Sequence, residues 1–203
     1  MPKIKFIYFD IGGVLLDWYD SFKTATEEFN IPFKEFNKLW LDEKMVDDMT
    51  RGKITPQDLW NKAITKFKLK DAETFNFVES WMQDYKPRLE VHKLVYELEP
   101  RYKIGLISNL YKGMMPRLVE LGIIPNISYS AIVLSYETGL RKTEKEIFEI
   151  ATEKAMVKPG EIFLIDDRID FIQGAEDLGW RTFLFDPNNV KKSVANIIRI
   201  FKI

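Results

Sequence analysis

The run Lys3-Ile4-Lys5-Phe6-Ile7-Tyr8-Phe9 is mostly apolar and stops abruptly on Asp10, with Ile11-Gly12-Gly13 behind it. It is too short for a helix, rich in Ile, Phe and Tyr, and closed by an acid and glycines. It therefore reads as a buried parallel strand entering a tight turn. The same grammar recurs at residues 102–107, stopped by Ser108-Asn109, and at residues 162–165, stopped by Asp166-Asp167. Ala131–Leu134 and residues 182–185 make two further short strands. Helical patterns lie between them, at Met114–Glu120 and at residues 145–154 and 171–178. Strands alternating with helices predict an α/β fold, a Rossmann-like parallel sheet with helices on both faces.

Residues 19–86 break this alternation. Helix-like segments cover 20–29, 33–49, 55–67 and 72–83, punctuated by Pro32, Gly52 and Pro56, and Thr55-Pro56 with Asp58 makes a good helix start. No strand pattern is visible there. The expected organisation is a core of residues 1–18 and 87–203, with a small all-helical domain of residues 19–86 inserted after the first strand. The tail from Asn188 is expected to end in a short amphipathic helix or strand.

Composition narrows the chemistry. The 203 residues are 46% hydrophobic and 14% aromatic, enough for a substantial core, and 30 Lys+Arg nearly balance 31 Asp+Glu. No basic excess marks a nucleic-acid partner, and no apolar run reaches the ~18 residues of a membrane span. Residues 1–5 lack a signal peptide's apolar region, so a cytoplasmic location is expected. With no cysteine and one histidine, His92, thiolate sites, cysteine nucleophiles and multi-histidine metal sites all fall. Chemistry must rest on carboxylates, lysines and hydroxyls.

In open α/β sheets ligands gather beyond the carboxyl ends of the strands. On these strand assignments Asp10, Ser108 and the pair Asp166-Asp167 share that edge, and Lys142 can reach it from the loop after Ala131–Leu134. Neighbouring carboxylates repel unless a cation lies between them. A hard, oxygen-seeking ion such as Mg²⁺ suits them, while Ser108 and Lys142 would hold phosphate oxygens. These parts suit phosphoryl transfer with Asp10 as nucleophile.

Four strings then resemble the motifs of the haloacid dehalogenase superfamily, in order. Phe9-Asp10-Ile11-Gly12-Gly13-Val14-Leu15-Leu16 resembles motif I, Leu106-Ile107-Ser108-Asn109 motif II, and Ser135-Tyr136-Glu137-Thr138-Gly139-Leu140-Arg141-Lys142 the segment delivering the motif III lysine. Ile165-Asp166-Asp167-Arg168, with Gly174-Ala175 and Leu178-Gly179-Trp180 behind it, is similar to motif IV and its helix. The resemblance implies a nucleophilic Asp10 and a Mg²⁺ site of Asp10, the Gly12 carbonyl, Asp166 and Asp167. It also implies phosphate binding by Ser108, Asn109, Lys142 and the main-chain amides of Ile11 and Gly12. Residues 19–86 stand where the family carries its C1 cap, which closes over the core and selects the substrate.

Two departures bear on activity. The family's second motif I aspartate, its general acid/base, is Gly12 here. Positioned proton transfer contributes typically ~10²–10⁴-fold, so poor leaving groups should suffer most. A subgroup resembling the phosphatase domain of soluble epoxide hydrolases and certain sugar-1-phosphate phosphatases shares this change, and a sugar 1-phosphate leaves more readily than an ordinary alcohol. Asp17 is a positional stand-in for the missing acid. Thr143 and Phe171 stand where the family often has proline and asparagine.

The leading expectation is thus a Mg²⁺-dependent phosphatase acting on a small phosphorylated metabolite, with a monomer or weak dimer as the assembly. Alternatives are a 2-haloacid dehalogenase, against which the Asp166-Asp167 pair argues, a phosphonatase-like enzyme using Lys53, and a pseudophosphatase with a binding role. Bland readings stand beside these. Ser108-Asn109 and Asp166-Asp167 can cap helices, and Asp42, Glu43, Asp47 and Asp48 form a solvated face. Trp40, Trp60 and Trp81 pack, Trp18 is a candidate substrate contact, and Arg51 and Lys53 form a loop within reach of substrate. His92 is a surface or packing residue.

Overall fold

The computed structural model describes residues 3–203. In chain order the elements are β1 (Phe6–Phe9), β2 (Leu16–Asp17), α1 (Lys23–Glu28), α2 (Phe33–Trp40), α3 (Glu43–Thr50), α4 (Pro56–Phe67), α5 (Phe77–Gln83), β3 (Lys86–Pro87), α6 (Leu89–Leu98), β4 (Lys103–Ser108) and α7 (Met114–Glu120). They continue with β5 (Ala131–Leu134), α8 (Ser135–Thr138), α9 (Lys145–Ala155), β6 (Ile162–Asp166), α10 (Ile169–Glu176), β7 (Arg181–Leu184) and α11 (Val190–Phe201).

Five strands form one parallel sheet in the order β5-β4-β1-β6-β7. β1 is central because every residue in it is buried, with no polar face to turn to water. Its side chains alternate between two cores. Ile7 and Phe9 pack on the side of α6, α7 and α11, and Phe6 and Tyr8 on the side of α9 and α10. The sheet is thus covered on both faces, the Rossmann-like arrangement expected. Gly105 in β4 has no room for a side chain, since a Cβ would lie 2.6 Å from the rings of Phe6 and Tyr8.

Helices α1–α5 form the layer beside the carboxyl edge of the sheet, held by stacked and tilted rings. Phe22 meets Trp81 at 4.4 Å and Phe36 at 5.0 Å between ring centroids, and Phe77 stacks on Trp60 at 5.0 Å. Phe22 takes a left-handed φ of 72°, an unfavourable conformation for a bulky residue that these surrounding rings enforce.

Several expected boundaries shift. The helix foreseen over 33–49 is two, because Asp42 accepts a hydrogen bond from Met45 N and starts a new helix there. The segment 72–83 is helical only over Phe77–Gln83, capped by Asn76. α1 begins at Lys23, not at residue 20. β2 and β3 pair antiparallel as a two-residue ribbon at the two ends of the helical layer. Strands of two residues have no periodicity to read. The tail is the helix α11, and β7 lies one residue earlier than expected.

Candidate active site

The chain leaves β1 at Asp10 and turns back at once, Leu15 and Leu16 both donating to the Ile11 carbonyl and Gly13 N donating to Leu16 O. Gly13 is required in this turn. Its φ is +79°, and a Cβ there would collide with the Asp167 carboxylate. The turn therefore brings the main chain after Asp10 against the acid pair at the end of β6.

Three strand ends and one loop converge here. Asp10, Ser108 and Asp166 end β1, β4 and β6, all buried, and Lys142 enters from the loop after α8 with only 1% of its surface exposed. The Lys142 ammonium lies 2.8 Å from Asp10 Oδ2 and 2.7 Å from Asp166 Oδ2. It also sits 4.6 Å above the ring of Phe171, so that residue forms an apolar floor beneath the cation. Asn109 Oδ1 accepts from Lys142 N at 3.0 Å and pins the loop. Ser108 and Asn109 do not cap a helix, since α7 starts only at Met114, behind Gly113. Asp166 accepts from Arg168 N at 3.0 Å, so one of its oxygens steers the start of α10 while the other faces Lys142.

The electrostatics show strain between like charges. Burial, together with the Asp10 charge, pushes Asp166 up to about 7 and Asp167 up to about 6. Burial acts to lower the Lys142 ammonium, but the charges of Asp10 and Asp166 outweigh it and raise it above its ordinary value. Carboxylate oxygens of Asp10, Asp166 and Asp167 lie within 4.8 Å of one another. That donor set is all oxygen and over-supplied with negative charge. It fits a hard divalent cation such as Mg²⁺, which would relieve the repulsion now offset by one ammonium and by proton uptake.

A cavity of about 280 Å³ opens over these groups, between the sheet edge and the helical layer. Asp10, Ile11, Gly12, Ser108, Asn109, Lys142, Asp167 and Trp18 all line it, while Asp166 lies behind, under Lys142. Ile11 N–H donates 2.7 Å to Asp10's own Oδ1. The Trp18 ring occupies the space beside position 12: its Cδ1 lies 3.5 Å from where a Gly12 Cβ would be. Asp17 is outside the cavity, accepting from Tyr19 N at 3.0 Å and facing Arg88 at 3.8 Å.

Several lining residues had no role assigned from the sequence. Tyr85 and Tyr111 carried no signal, Arg141 and Arg168 stood within the quoted strings without a part of their own, and Trp40 and Trp81, expected only to pack, both pack and line the cavity. Asp47, read as part of a solvated face, instead bridges the layers. It accepts from Arg51 Nε at 2.9 Å and faces Arg141 at 3.4 Å. Arg51 in turn donates to the Gly139 carbonyl and pairs with Glu144, both at 2.8 Å, so it ties the helical layer to the Lys142 loop and is not among the cavity-lining residues. Lys53 pairs with Asp48 at 3.2 Å on the surface, also away from the cavity. His92 is a packing residue, buried with its ring 3.1 Å from the Leu15 carbonyl.

A family model described as haloacid dehalogenase-like hydrolase matches residues 4–179. D-ribitol-5-phosphate phosphatase of Bacteroides thetaiotaomicron is 26% identical over 197 residues, covering 92% of this chain and 93% of its own. A sesquiterpene phosphatase of Aspergillus oryzae is 21% identical over 176 residues, 86% of each chain. Among solved structures, a HAD-family enzyme of B. thetaiotaomicron in complex with magnesium and inorganic phosphate superimposes with a TM-score of 0.73 at 22% identity, covering 91% of this chain and 95% of that one. L-2-haloacid dehalogenase of Xanthobacter autotrophicus does so with a TM-score of 0.66 at 18% identity, covering 88% and 76%. At such identities the structural likenesses speak to fold alone. With the family model spanning most of the chain and curated phosphatases matching along nearly its full length, this protein belongs to the haloacid dehalogenase-like hydrolases and is a hydrolytic enzyme.

Proposed function

We propose that the protein is a Mg²⁺-dependent phosphatase of small phosphorylated metabolites that works through an aspartyl-phosphate on Asp10. The observation that carries this reading is the cluster of three carboxylates at the floor of a cavity, two of them buried and paired with one buried ammonium. Asp10 is the nucleophile. Lys142 and the Ser108 hydroxyl hold phosphate oxygens, with the main-chain amides of Ile11 and Gly12, and Asn109 keeps the Lys142 loop in register. Asp10, the Gly12 carbonyl, Asp166 and Asp167 would hold the cation, which when bound neutralises phosphate charge. The helical layer of residues 19–86 acts as a cap whose aromatic residues meet the organic part of the substrate. The two curated relatives, both phosphatases by name, support the general activity.

A carboxylate that gains a bond to phosphorus must be aimed, and the Lys142 contact at 2.8 Å aims Asp10. The alternative of a dehalogenase is disfavoured by Asp166 and Asp167, since two further carboxylates beside the nucleophile repel it unless a cation is shared between them. The test is phosphate release from acetyl phosphate with and without Mg²⁺. Asp10→Asn should lower the rate by roughly 10⁴-fold or more, and chelator should abolish it. Undiminished turnover in Asp10→Asn would overturn the mechanism, and metal-independent chloride release from 2-chloropropionate would return the dehalogenase reading.

A further inference from the structure

Above its charged floor the cavity changes character. Its wall is built from six rings, those of Trp18, Trp40, Trp81, Tyr85, Tyr111 and Phe171. The hydroxyls beside them give their protons to the main chain and are left only as acceptors: Ser21 Oγ donates to the Trp18 carbonyl at 2.5 Å and Thr50 Oγ1 to the Val46 carbonyl at 2.7 Å. The arginines on the wall have acid partners of their own, Arg141 with Asp47 at 3.4 Å and Arg168 with Asp170 at 2.6 Å, while Arg141 Nε and the indole nitrogens of Trp40 and Trp81 are buried without a hydrogen-bond partner among the described residues. Asn109 Oδ1 is taken by Lys142 N. Among the described residues the only carboxylates lining the cavity are Asp10 and Asp167, both at the phosphate end. Burial raises the phenols of Tyr111, to about 12, and of Tyr85, so each offers one neutral hydroxyl at its tip.

A polyol chain entering this wall would exchange full hydration for a few hydroxyl oxygens and N–H groups set among six rings, which disfavours it. An aromatic ring meets the rings without that loss. Size agrees. An apolar cavity of roughly 150 Å³ takes a benzene ring, so about 280 Å³ has room for one ring and a phosphoryl group.

The wall also decides what can leave. Trp18 stands at van der Waals distance from position 12, and among the described residues the lining beyond the acid cluster contains no imidazole or carboxylic acid to protonate a departing oxygen. A phenol, with a pKa of about 10, departs without help, whereas an alkoxide is about as basic as hydroxide, whose parent water has a pKa of ~15.7.

We infer that the preferred substrate is a phosphate monoester of a compact aromatic alcohol, best a phenol, and not of a polyol. This rests on the phosphatase reading above and replaces its sugar-ester expectation with a different organic group. In the transfer an Asp10 carboxylate oxygen forms a bond to phosphorus as the ester P–O bond breaks. The electron pair leaves with the aryl oxygen, which takes a proton from water. A second water then cleaves the aspartyl-phosphate, returning the carboxylate and releasing inorganic phosphate.

The experiment compares kcat/KM for phenyl phosphate, benzyl phosphate, ribitol 5-phosphate and acetyl phosphate at saturating Mg²⁺. Benzyl and ribitol esters both release primary alcohols, so their ratio reports the wall alone, and benzyl should lead by 10-fold or more. Phenyl phosphate should exceed benzyl by a further 10-fold, reporting the leaving group. In Trp40→Leu the benzyl-to-acetyl ratio should fall at least 10-fold. Binding of phenylphosphonate to the Asp10→Asn protein should quench tryptophan fluorescence at concentrations where methylphosphonate does not. Ribitol 5-phosphate turned over as well as benzyl phosphate would overturn the inference while leaving the phosphatase reading intact. Failure to hydrolyse acetyl phosphate would instead remove the phosphatase reading, and the inference with it.

Discussion

The sheet and the helical layer are stabilised in different ways, and the contrast explains where chemistry and selectivity lie. The strands are joined by main-chain hydrogen bonds in a fixed register, Phe9 opposite Leu106 on one side and Ile165 on the other. Residues that follow such strands inherit positions set by the backbone. The helical layer has no such ladder. Its order comes from ring contacts around Phe22, Trp60, Phe77 and Trp81, from a two-residue ribbon, and from the Asp47–Arg51 bridge to the Lys142 loop. Side-chain packing of this kind can be exchanged residue by residue while the sheet stays unchanged. The proposed reacting groups therefore sit on the rigid side of the cavity and the rings that line it mostly on the adaptable side.

The largest expected effect is at the charged floor. Lys142→Met leaves Asp10 and Asp166 unpaired in a buried site, which should cost about 3–5 kcal/mol of stability and lower turnover by about 10²–10³-fold. Denaturant melts with and without Mg²⁺ check this, and added Mg²⁺ should recover much of the lost stability. Phe77→Ala, inside the helical layer, should cost a similar ~3–5 kcal/mol through a cavity, but Mg²⁺ should recover none of it. If the metal rescued both variants equally, the two regions would not be energetically distinct.

The pH dependence sharpens the same point. Asp166 and Asp167 are raised to about 7 and about 6 when folded, against an ordinary value of 3.8. A raised acid takes up a proton on folding, so its contribution is fully present below the unfolded value and is lost as pH rises through the folded one. The metal-free protein should therefore lose thermal stability from about pH 4 to about pH 7, and Mg²⁺ at pH 8 should reverse the loss. A flat melting profile across that range without metal would contradict it.

The smallest effect is expected at the bridge. Arg51→Ala removes bonds to Asp47, Glu144 and the Gly139 carbonyl, worth about 1–2 kcal/mol in total after solvent screening. Melting at low and high salt checks it, with the difference from wild type shrinking as salt rises. Gly52→Ala should disturb the same junction independently, because its φ is +71° and a Cβ would collide with the Tyr136 carbonyl.

Much of the floor was legible before any coordinates. Apolar runs stopped by Asp10, Ser108 and Asp166-Asp167 are local signals, and topology alone carries strand ends to one edge. Lys142 was legible only through its string, because a lysine on a loop has no period. The break at Asp42 was missed because the apolar pattern of 33–49 continues across it, whereas the cap that divides it is a single polar side chain. The wall was missed for a related reason. Trp40, Trp81, Tyr85 and Tyr111 lie at helical or loop positions whose apolar character says only that they are covered, and not whether a neighbour or a ligand covers them.

The sequence by itself determined a parallel α/β core, the three stopping points at Asp10, Ser108 and Asp166-Asp167 that carry proposed reacting groups, and the helical character of residues 19–86. Each follows from short-range pattern and from connection rules that leave few topologies open. Only the tertiary structure decided that Lys142 bridges Asp10 and Asp166, that Trp18 occupies the space beside Gly12, and that six rings from distant segments make one wall. Those are contacts between residues far apart in the chain, fixed by how the layers pack, and no local pattern encodes them.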